Sequence, residues 1–574
     1  MTGNNQNKPL QHDLSVVLCG EAGQGIQTIE HVLTGILKRT GYHTFTTKEY
    51  MSRVRGGENS TEIRIASERV ATYVDRIDVF FPLSKDAVTH LANRLSEDTL
   101  ILGEKASFDS SINMIDIPFS AIAEEVGGKI YQNSIAVGVV LGMLQVDAAF
   151  YKEYYAKYFA SKPADVIEKN ILACSRGYER GARLLETNAF QHDLKTNPDV
   201  YNELLMNSAE AVALGAIAGG CNFVSSYPMS PATAVLVNLA GYSHEFEIAV
   251  EQAEDEISAI NMALGAWYAG ARALVSTSGG GFALMAEGIS LCGMIETPVV
   301  VHLAQRPGPA TGLPTRTEQG DLELALYAGH GEFPRILLAP GSIEQAFELT
   351  HRAFDLADKF QVPVFILTDQ YLMDSYYNIP ALDLTALQNA NHIVETDADY
   401  ARYKLTENGL SPRGVPGFGK GLVRVDSDEH TEQGCITEDL NLRVQMSDKR
   451  LKKMDAILGE FISPELVGCD DYETLVVCWG SNYHPVKEAL TKLDNKKVAM
   501  LHFSQLFPLH PDVTVRLEKA KKLILVENNA TAQFGKVILL QTGVSVQNKI
   551  LKYNGMPFSV EELVVEIGRI ASEG

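Results

Sequence analysis

The sequence predicts an α/β protein of several domains, with a doubly wound parallel sheet at its centre. Three observations predict it. Across residues 203–375, short apolar runs of strand length alternate with longer runs of helical periodicity, the pattern of a parallel sheet covered on both faces. The same alternation opens the chain, where the apolar run 14–18 leads through Gly20-Glu-Ala-Gly-Gln-Gly25 into a helix-periodic segment at 26–38. It returns a third time after residue 465.

Each block can be bounded. Residues 13–187 form the first domain, beginning with a strand, a glycine turn and a helix, the start of a βαβ unit. A polar linker follows at 188–202. The second domain, 203–375, carries helical patterns at 209–218, 251–270 and 282–294, with strands at 223–227, 273–277, 298–303 and 362–367. Residues 376–464 show little periodicity and are rich in Asp, Asn, Gly and Pro. They are too long for a plain loop and are expected to form an extended, partly ordered connector that includes the basic run Lys449-Arg450-Leu451-Lys452-Lys453. The last domain, 465–574, has strands at 474–478, 497–501 and 522–527.

Composition narrows the function classes. The chain has 574 residues, 45% hydrophobic and 21% charged, with a net charge of −23. An acidic surface argues against nucleic acid or an anionic membrane as partner, since both need a basic face. The longest apolar stretch, 135–144, holds two glycines and is far short of a bilayer span. Residues 1–10 are polar and lack a signal core, so the protein is expected to be cytoplasmic. The closest two of the seven cysteines, Cys469 and Cys478, are nine positions apart. Metal and iron–sulfur sites usually need shorter spacings, so no metal is expected on this chain.

Several motifs carry chemistry. The turn that includes Gly23 and Gly25 suits phosphate at a helix N-terminus, although its spacing is not the dinucleotide fingerprint and a tight structural turn explains it equally. Arg53-Val-Arg55-Gly-Gly57 fits either a phosphate-bearing ligand or a solvated turn. Tyr227-Pro228-Met-Ser230-Pro ends a strand at the carboxyl edge of the central sheet, where α/β proteins bind ligands. Its prolines hold the Ser230 hydroxyl rigidly, as a plain rigid turn also would. Four carboxylates, Glu251, Glu254, Asp255 and Glu256, open the next helical pattern. Dipole complementation accounts for the first three. It accounts less well for Glu256, which adjoins the buried part. Thr277-Ser-Gly279-Gly-Gly-Phe282 and the loop 305–321 both follow strands, and the second is constrained by three prolines at one sheet edge.

Taken together, Tyr227-Pro-Met-Ser-Pro, Glu254-Asp-Glu-Ile257, Thr277-Ser-Gly-Gly-Gly-Phe282 and Gly308-Pro-Ala-Thr-Gly-Leu-Pro-Thr-Arg316 resemble the α-subunit of 2-oxoacid:ferredoxin oxidoreductases. The first domain resembles that family's γ-subunit, and the last its transketolase C-terminal-like domain. The resemblance covers nearly the whole chain in a fused γ–α order, and it makes 203–375 a thiamine diphosphate pyrimidine-type domain. It implies oxidative decarboxylation of a 2-oxoacid on thiamine diphosphate, with coenzyme A as co-substrate and ferredoxin as electron acceptor. Fused chains of this kind most resemble 2-oxoglutarate enzymes, with broad-specificity, pyruvate or branched-chain enzymes as the alternative.

The resemblance also assigns roles. The cofactor needs a buried glutamate against its pyrimidine ring, nine residues before a helix glycine. Glu256 stands nine before Gly265, while Glu254 and Asp255 miss that register. Ser230 takes the place of a threonine on the substrate carboxylate, with Arg316 as its charge partner and Tyr227 beside them. Pro228 and Gly279 would border the cofactor, and Gly23, Gly25, Arg53 and Arg55 would contact coenzyme A. The Gly-Asp-Gly loop that holds diphosphate and magnesium does not occur in the sequence. Both that loop and the iron–sulfur cluster are therefore expected on a separate β-subunit, in an (αβ)2 assembly. Three rivals remain: an NAD-linked dehydrogenase resting on the first glycine turn alone, a non-catalytic scaffold, and a lipoamide-linked thiamine subunit, which would have no use for the first domain.

Overall fold

The computed structural model describes residues 12–21, 26–52, 57–385 and 387–573. The chain divides into two compact units, one reaching to Met206 and including Ser375–Ala381, the other comprising Asn207–Asp374 and the residues from Leu382 onward.

The first unit is organised on the strand Asp13–Glu21, buried over most of its length because it lies inside a sheet covered on both faces. The helix Ile26–Thr40 leads from it to the strand His43–Glu49. These two strands run in the same direction, as a strand–helix–strand unit requires. However, Glu58–Ala66 inserts between them, antiparallel to both. On the other side Val79–Pro82 pairs in parallel with Asp13–Glu21. The helix Gln132–Met143 is apolar around its whole circumference and buried from Ser134 to Met143. It packs on Ala164–Glu186 through glycines on both sides: a Cβ at Gly138, Gly142, Gly177 or Gly181 would strike the backbone of the facing helix. Tyr376–Ile379, read from sequence as the start of the connector, is a strand of this sheet paired with His43–Glu49. Asn378 Oδ1 there accepts from Thr44 N at 2.7 Å and Thr44 Oγ1 at 3.0 Å.

The second unit holds the doubly wound sheet. Its strands run in the order Gln505–Phe507, Ile336–Leu338, Pro363–Asp369, Val299–Gln305, Ala273–Thr277, Phe223–Ser226, Ala249–Gln252. All are parallel except Gln505–Phe507, a strand from the last block that joins the edge antiparallel. A second sheet, ordered Glu465–Val467, Val498–Phe503, Thr474–Trp479, Lys522–Glu527, Asn548–Leu551, belongs to the last block alone.

Two local readings change. The helical pattern placed at 251–270 begins later: Ala249–Gln252 is an edge strand and the helix is Glu256–Tyr268. Asp255, in extended conformation, caps it by accepting from Ser258 N at 2.7 Å. The glycines that follow Ala273–Thr277, which sequence reads as a loop before the helical pattern at 282–294, form the first turn of a short helix, Gly279–Leu284.

Within residues 376–464, Leu440–Ile457 is an 18-residue helix. The basic run on it is not a solvated charge patch. Lys449 and Lys453, four apart and therefore on one helix face, are both buried and clasp the buried Glu296. Lys449 Nζ lies 2.7 Å from each carboxylate oxygen, and Lys453 Nζ lies 2.6 Å from Oε2. Arg402 Nη2 donates to the Glu296 carbonyl at 2.6 Å, and Arg450 pairs with Glu429 through two hydrogen bonds. The two ammonium groups and Arg402 hold the Glu296 carboxyl far below the usual range, against its burial. Burial pushes Lys453 down to about 8 despite Glu296. Glu296→Gln would leave buried ammonium groups without their counter-charge. A loss of about 3 to 5 kcal/mol is expected in denaturant unfolding of the full chain, and an unchanged midpoint would contradict the arrangement.

Candidate active site

The parallel sheet brings its carboxyl edge to four segments: the turn after Phe223–Ser226, the head of the helix Glu256–Tyr268, the glycine turn after Ala273–Thr277, and the loop after Val299–Gln305. The crevice outside such an edge is where open α/β sheets bind ligands.

Glu256 is the first residue of its helix and only 4% exposed. Its Oε1 has no hydrogen-bond partner among the described residues. The carboxylate rests on the glycine turn, where a Cβ on Gly281 would fall inside contact distance of Glu256 Oε1 and Thr277 Oγ1. The same turn meets a second carboxylate at its other end, since a Cβ on Gly279 would run into Asp321. Asp321 Oδ2 and the buried Ser278 Oγ also lack partners among the described residues. Three buried oxygens without partners thus surround three consecutive glycines. A buried polar group left unsatisfied costs about 1 to 3 kcal/mol, and more when charged. A cluster of them around backbone with no side chain describes a cradle for a flat polar ligand.

Electrostatics tie the cradle to the neighbouring loop. Asp321 is pushed up to about 7, chiefly by burial and then by Glu318, with Arg306 opposing. Arg306 is lowered by burial, against the pull of Asp321 and Glu256. Its Nη1 donates to the Ser230 carbonyl at 2.7 Å. Arg306 thus holds the Ser230 turn by its carbonyl and feels the charge of both carboxylates. Behind the edge, His302 bridges Ser276 Oγ at 2.8 Å and Thr368 Oγ1 at 2.9 Å. Burial holds it neutral, down to about 3, so it is a core strut.

The sequence-selected residues divide. Glu256 and Gly279 meet at the glycine turn, and the Ser230 carbonyl accepts from Arg306. Ser230 and Tyr227 are exposed, and Pro228 is half-buried. Arg316 is set by the last block: Gly555 packs against its side chain, and among its contacts is one from Nη1 to Met556 Sδ at 3.6 Å. Gly23, Gly25, Arg53 and Arg55 lie outside the described residues. Sequence reasoning passed over Arg306, Ser278, Asp321 and Gly281. Arg306 and Asp321 stood within the constrained 305–321 loop, but nothing in their spacing marked them.

The same loop is anchored from below. Gln319 N donates to the Asn528 carbonyl at 2.7 Å, and Gln319 Nε2 to the Trp479 carbonyl at 3.0 Å. Gln319 Oε1 accepts from Asn528 N at 3.0 Å and Asn482 Nδ2 at 2.9 Å. Thr317 Oγ1 donates to the buried Asp369 at 3.1 Å. Asn528-Asn529 is part of this anchor, with Asn529 Nδ2 donating to the Gln319 carbonyl at 2.9 Å.

Comparison with known proteins agrees with this geometry. The family described as pyruvate flavodoxin/ferredoxin oxidoreductase, thiamine diphosphate-binding, matches residues 214–449, and that described as pyruvate ferredoxin/flavodoxin oxidoreductase matches 15–180. A 2-oxoacid:ferredoxin oxidoreductase subunit alpha from Sulfolobus is 32% identical over 98% of this chain and 97% of its own. The chain belongs to the α-subunit family of 2-oxoacid:ferredoxin oxidoreductases. A 2-oxoglutarate oxidoreductase subunit KorA from Mycobacterium tuberculosis is 28% identical, covering 95% of this chain and 89% of its own. The solved 2-oxoglutarate:ferredoxin oxidoreductase of Magnetococcus marinus, with 2-oxoglutarate, coenzyme A and succinyl-CoA bound, superposes with a TM-score of 0.92. It is 29% identical and covers 97% of this chain and 99% of its own. The multi-domain α/β architecture expected from sequence is thus that of the family, and the chain is a subunit of an oxidoreductase. No helix among the described residues is long and apolar enough to cross a membrane.

Adding a methyl group at Gly281 would displace the Glu256 carboxylate. Gly281→Ala is expected to lower turnover of the assembled enzyme by about a hundredfold, the order of effect of a 1 Å misplacement. Retained activity with an unshifted melting temperature would show that the contact is not critical.

Proposed function

We propose that this chain is the α-subunit of a coenzyme A-dependent enzyme that converts 2-oxoglutarate to succinyl-CoA and carbon dioxide. The electron pair released goes to ferredoxin through a β-subunit. The observation that carries the reading is Glu256: a carboxylate buried at a helix head, with one oxygen unpartnered among the described residues, against a turn of three glycines. The residues present fit the aminopyrimidine half of thiamine diphosphate. When bound, that cofactor supplies a nucleophilic carbon and an electron sink.

This chain's own residues do the rest. Glu256 Oε1 holds a proton against a ring nitrogen, and the surrounding burial strengthens that bond by lowering the local dielectric. Pro228 and Gly279 border the cradle. The Ser230 hydroxyl donates to the substrate's carboxylate, Tyr227 flanks it, and Arg316 with Arg306 supplies positive charge. The diphosphate, its magnesium and the iron–sulfur cluster fall to the β-subunit, in an (αβ)2 complex in the cytoplasm. Exposed apolar side chains on the elements around the site support a shared pocket. Tyr227, Val237, Ile257, Met262 and Leu284 are each at least 41% exposed on the elements that carry Glu256 and Ser230 or adjoin them. Gly23, Gly25, Arg53 and Arg55, in the γ-like domain 13–187, are assigned to coenzyme A. The name of the Sulfolobus relative, which specifies no single 2-oxoacid, favours broad specificity as the second reading.

The test is the co-purified αβ complex assayed with 2-oxoglutarate, pyruvate and branched-chain 2-oxoacids, with coenzyme A and a viologen acceptor. Preference for 2-oxoglutarate is expected. Reduction with none of them would overturn the function, and preference for another acid would overturn the substrate. Glu256→Gln should remove turnover by at least about a hundredfold, and normal turnover would dismiss Glu256 as activator. Arg316→Ala should raise KM about tenfold or more, the order of one lost charged hydrogen bond. An unchanged KM would remove Arg316 from the carboxylate grip.

A further inference from the structure

We propose that the turn Asn554-Gly555-Met556 of the last block aims the Arg316 guanidinium at the substrate carboxylate, with Gly555 and Met556 as its positioning residues. The inference rests on the functional reading above and deepens it, because it concerns how the carboxylate grip of the same site is set.

An arginine reaches its ligand through a long stem of single bonds, so a fixed backbone does not by itself fix where the charge lies. The Arg316 backbone is held by its own loop. Leu313 N donates to the Pro307 carbonyl at 3.1 Å, and Arg316 N to the Leu313 carbonyl at 3.1 Å. The side chain is held from elsewhere. The turn lies between the strand Asn548–Leu551 and the helix Val560–Ser572. Gly555 in it is buried, with a left-handed φ of 83°. A Cβ there would stand 3.0 Å from Arg316 Cβ, 3.3 Å from Arg316 Cγ and 3.4 Å from Leu313 Cδ1. The arginine stem thus lies along the bare face of Gly555. The Gly555 carbonyl accepts from Thr317 N at 3.1 Å, which ties the next residue to the same turn. At the far end of the side chain, Arg316 Nη1 donates to Met556 Sδ at 3.6 Å.

The sulfur suits this task. A thioether is a weak, uncharged acceptor. It orients an N–H and leaves the positive charge to an incoming anion, whereas a carboxylate in its place would cancel that charge. The turn is itself braced: Met556 N donates to Asn554 Oδ1 at 3.1 Å, and Asn528 Nδ2 to the Met556 carbonyl at 3.5 Å. Asn528 also belongs to the Gln319 anchor. Trp479 ends one parallel strand of the last sheet, Asn528 follows a second and the turn follows a third. The carboxyl edge of that sheet, a common place for a ligand in α/β proteins, therefore receives the loop 305–321 and Arg316 with it.

The experiment measures KM for the preferred 2-oxoacid, KM for coenzyme A and kcat in the intact αβ complex. Gly555→Ala, whose methyl group would push the Arg316 stem aside, should raise KM for the 2-oxoacid at least about fivefold, part of the loss expected on removing a charged hydrogen bond outright. Both kcat and KM for coenzyme A should stay within about twofold. Met556→Leu, close in volume, removes only the acceptor and should raise the same KM about threefold. In the Arg316→Ala background either substitution should add less than about twofold, because the side chain it positions is gone. An unchanged KM for the 2-oxoacid in either variant overturns the proposal. Effects that multiply with that of Arg316→Ala do so too, as does a matching change in kcat or in KM for coenzyme A, the sign of a merely structural role. Should Gly555→Ala fail to assemble, Met556→Leu decides by the same criteria. Arg316→Ala with an unchanged KM would instead overturn the carboxylate grip of the functional reading.

Discussion

The contact between the Glu256 carboxylate and the face of Gly281 governs the rest of this structure. Burying a carboxylate with one oxygen unbonded is unfavourable, and folds keep such groups where function requires them. Much of the surrounding architecture serves to make the burial tolerable. Asp255 caps the helix so that Glu256 falls at its first position, where the helix dipole favours a negative charge. Ala259, Ile260, Ala263 and Trp267 bury that helix against the sheet. Ile260 lies so close to Gly288, 2.6 Å from where a Cβ would be, that the next helix is held at a fixed distance. The glycines of the turn leave the carboxylate a space that no side chain enters.

The second layer of the site is built by sequence-distant residues. The 305–321 loop is held to the last block by the five polar contacts of Gln319, and to the central sheet by Thr317 on Asp369. Those contacts satisfy buried polar atoms that an isolated loop would leave bare. Glu527, pushed up to about 7 by burial, accepts from Trp479 Nε1, Asn529 Nδ2 and Phe534 N and braces the segment that carries Asn528. The last block therefore contributes rigidity to Arg306, Arg316 and Asp321, and rigid support is what holds a catalytic group in register.

The residues 440–457 show the same economy of charge. Five basic or apolar residues in a row look like a solvated patch, but helical spacing puts Lys449 and Lys453 on one side and Arg450 on another. The first pair meets Glu296, whose left-handed backbone (φ 48°) ends the helix Ala286–Ile295. A buried carboxylate with several cations around it fixes one register for this helix, since any slip would strand charge in the interior.

Sequence alone determined the parallel sheet of the second unit and, through its motifs, the family; Glu256 it marked only through what that family resemblance implies. Each is a local or periodic property: alternation of apolar runs, glycine and proline turns, register along one helix. Tertiary structure decided the rest. Tyr376–Ile379 is too short and too polar in context to read as a strand until His43–Glu49 is beside it. The Lys449–Glu296, Gln319–Trp479 and Asn528–Gln319 contacts span between 153 and 209 positions. Asp321 gained its place only when folding put it against a glycine turn that sequence shows merely as flexible. Burial and opposing charge arise from what the chain brings into contact, and no spacing rule encodes contacts made across that distance.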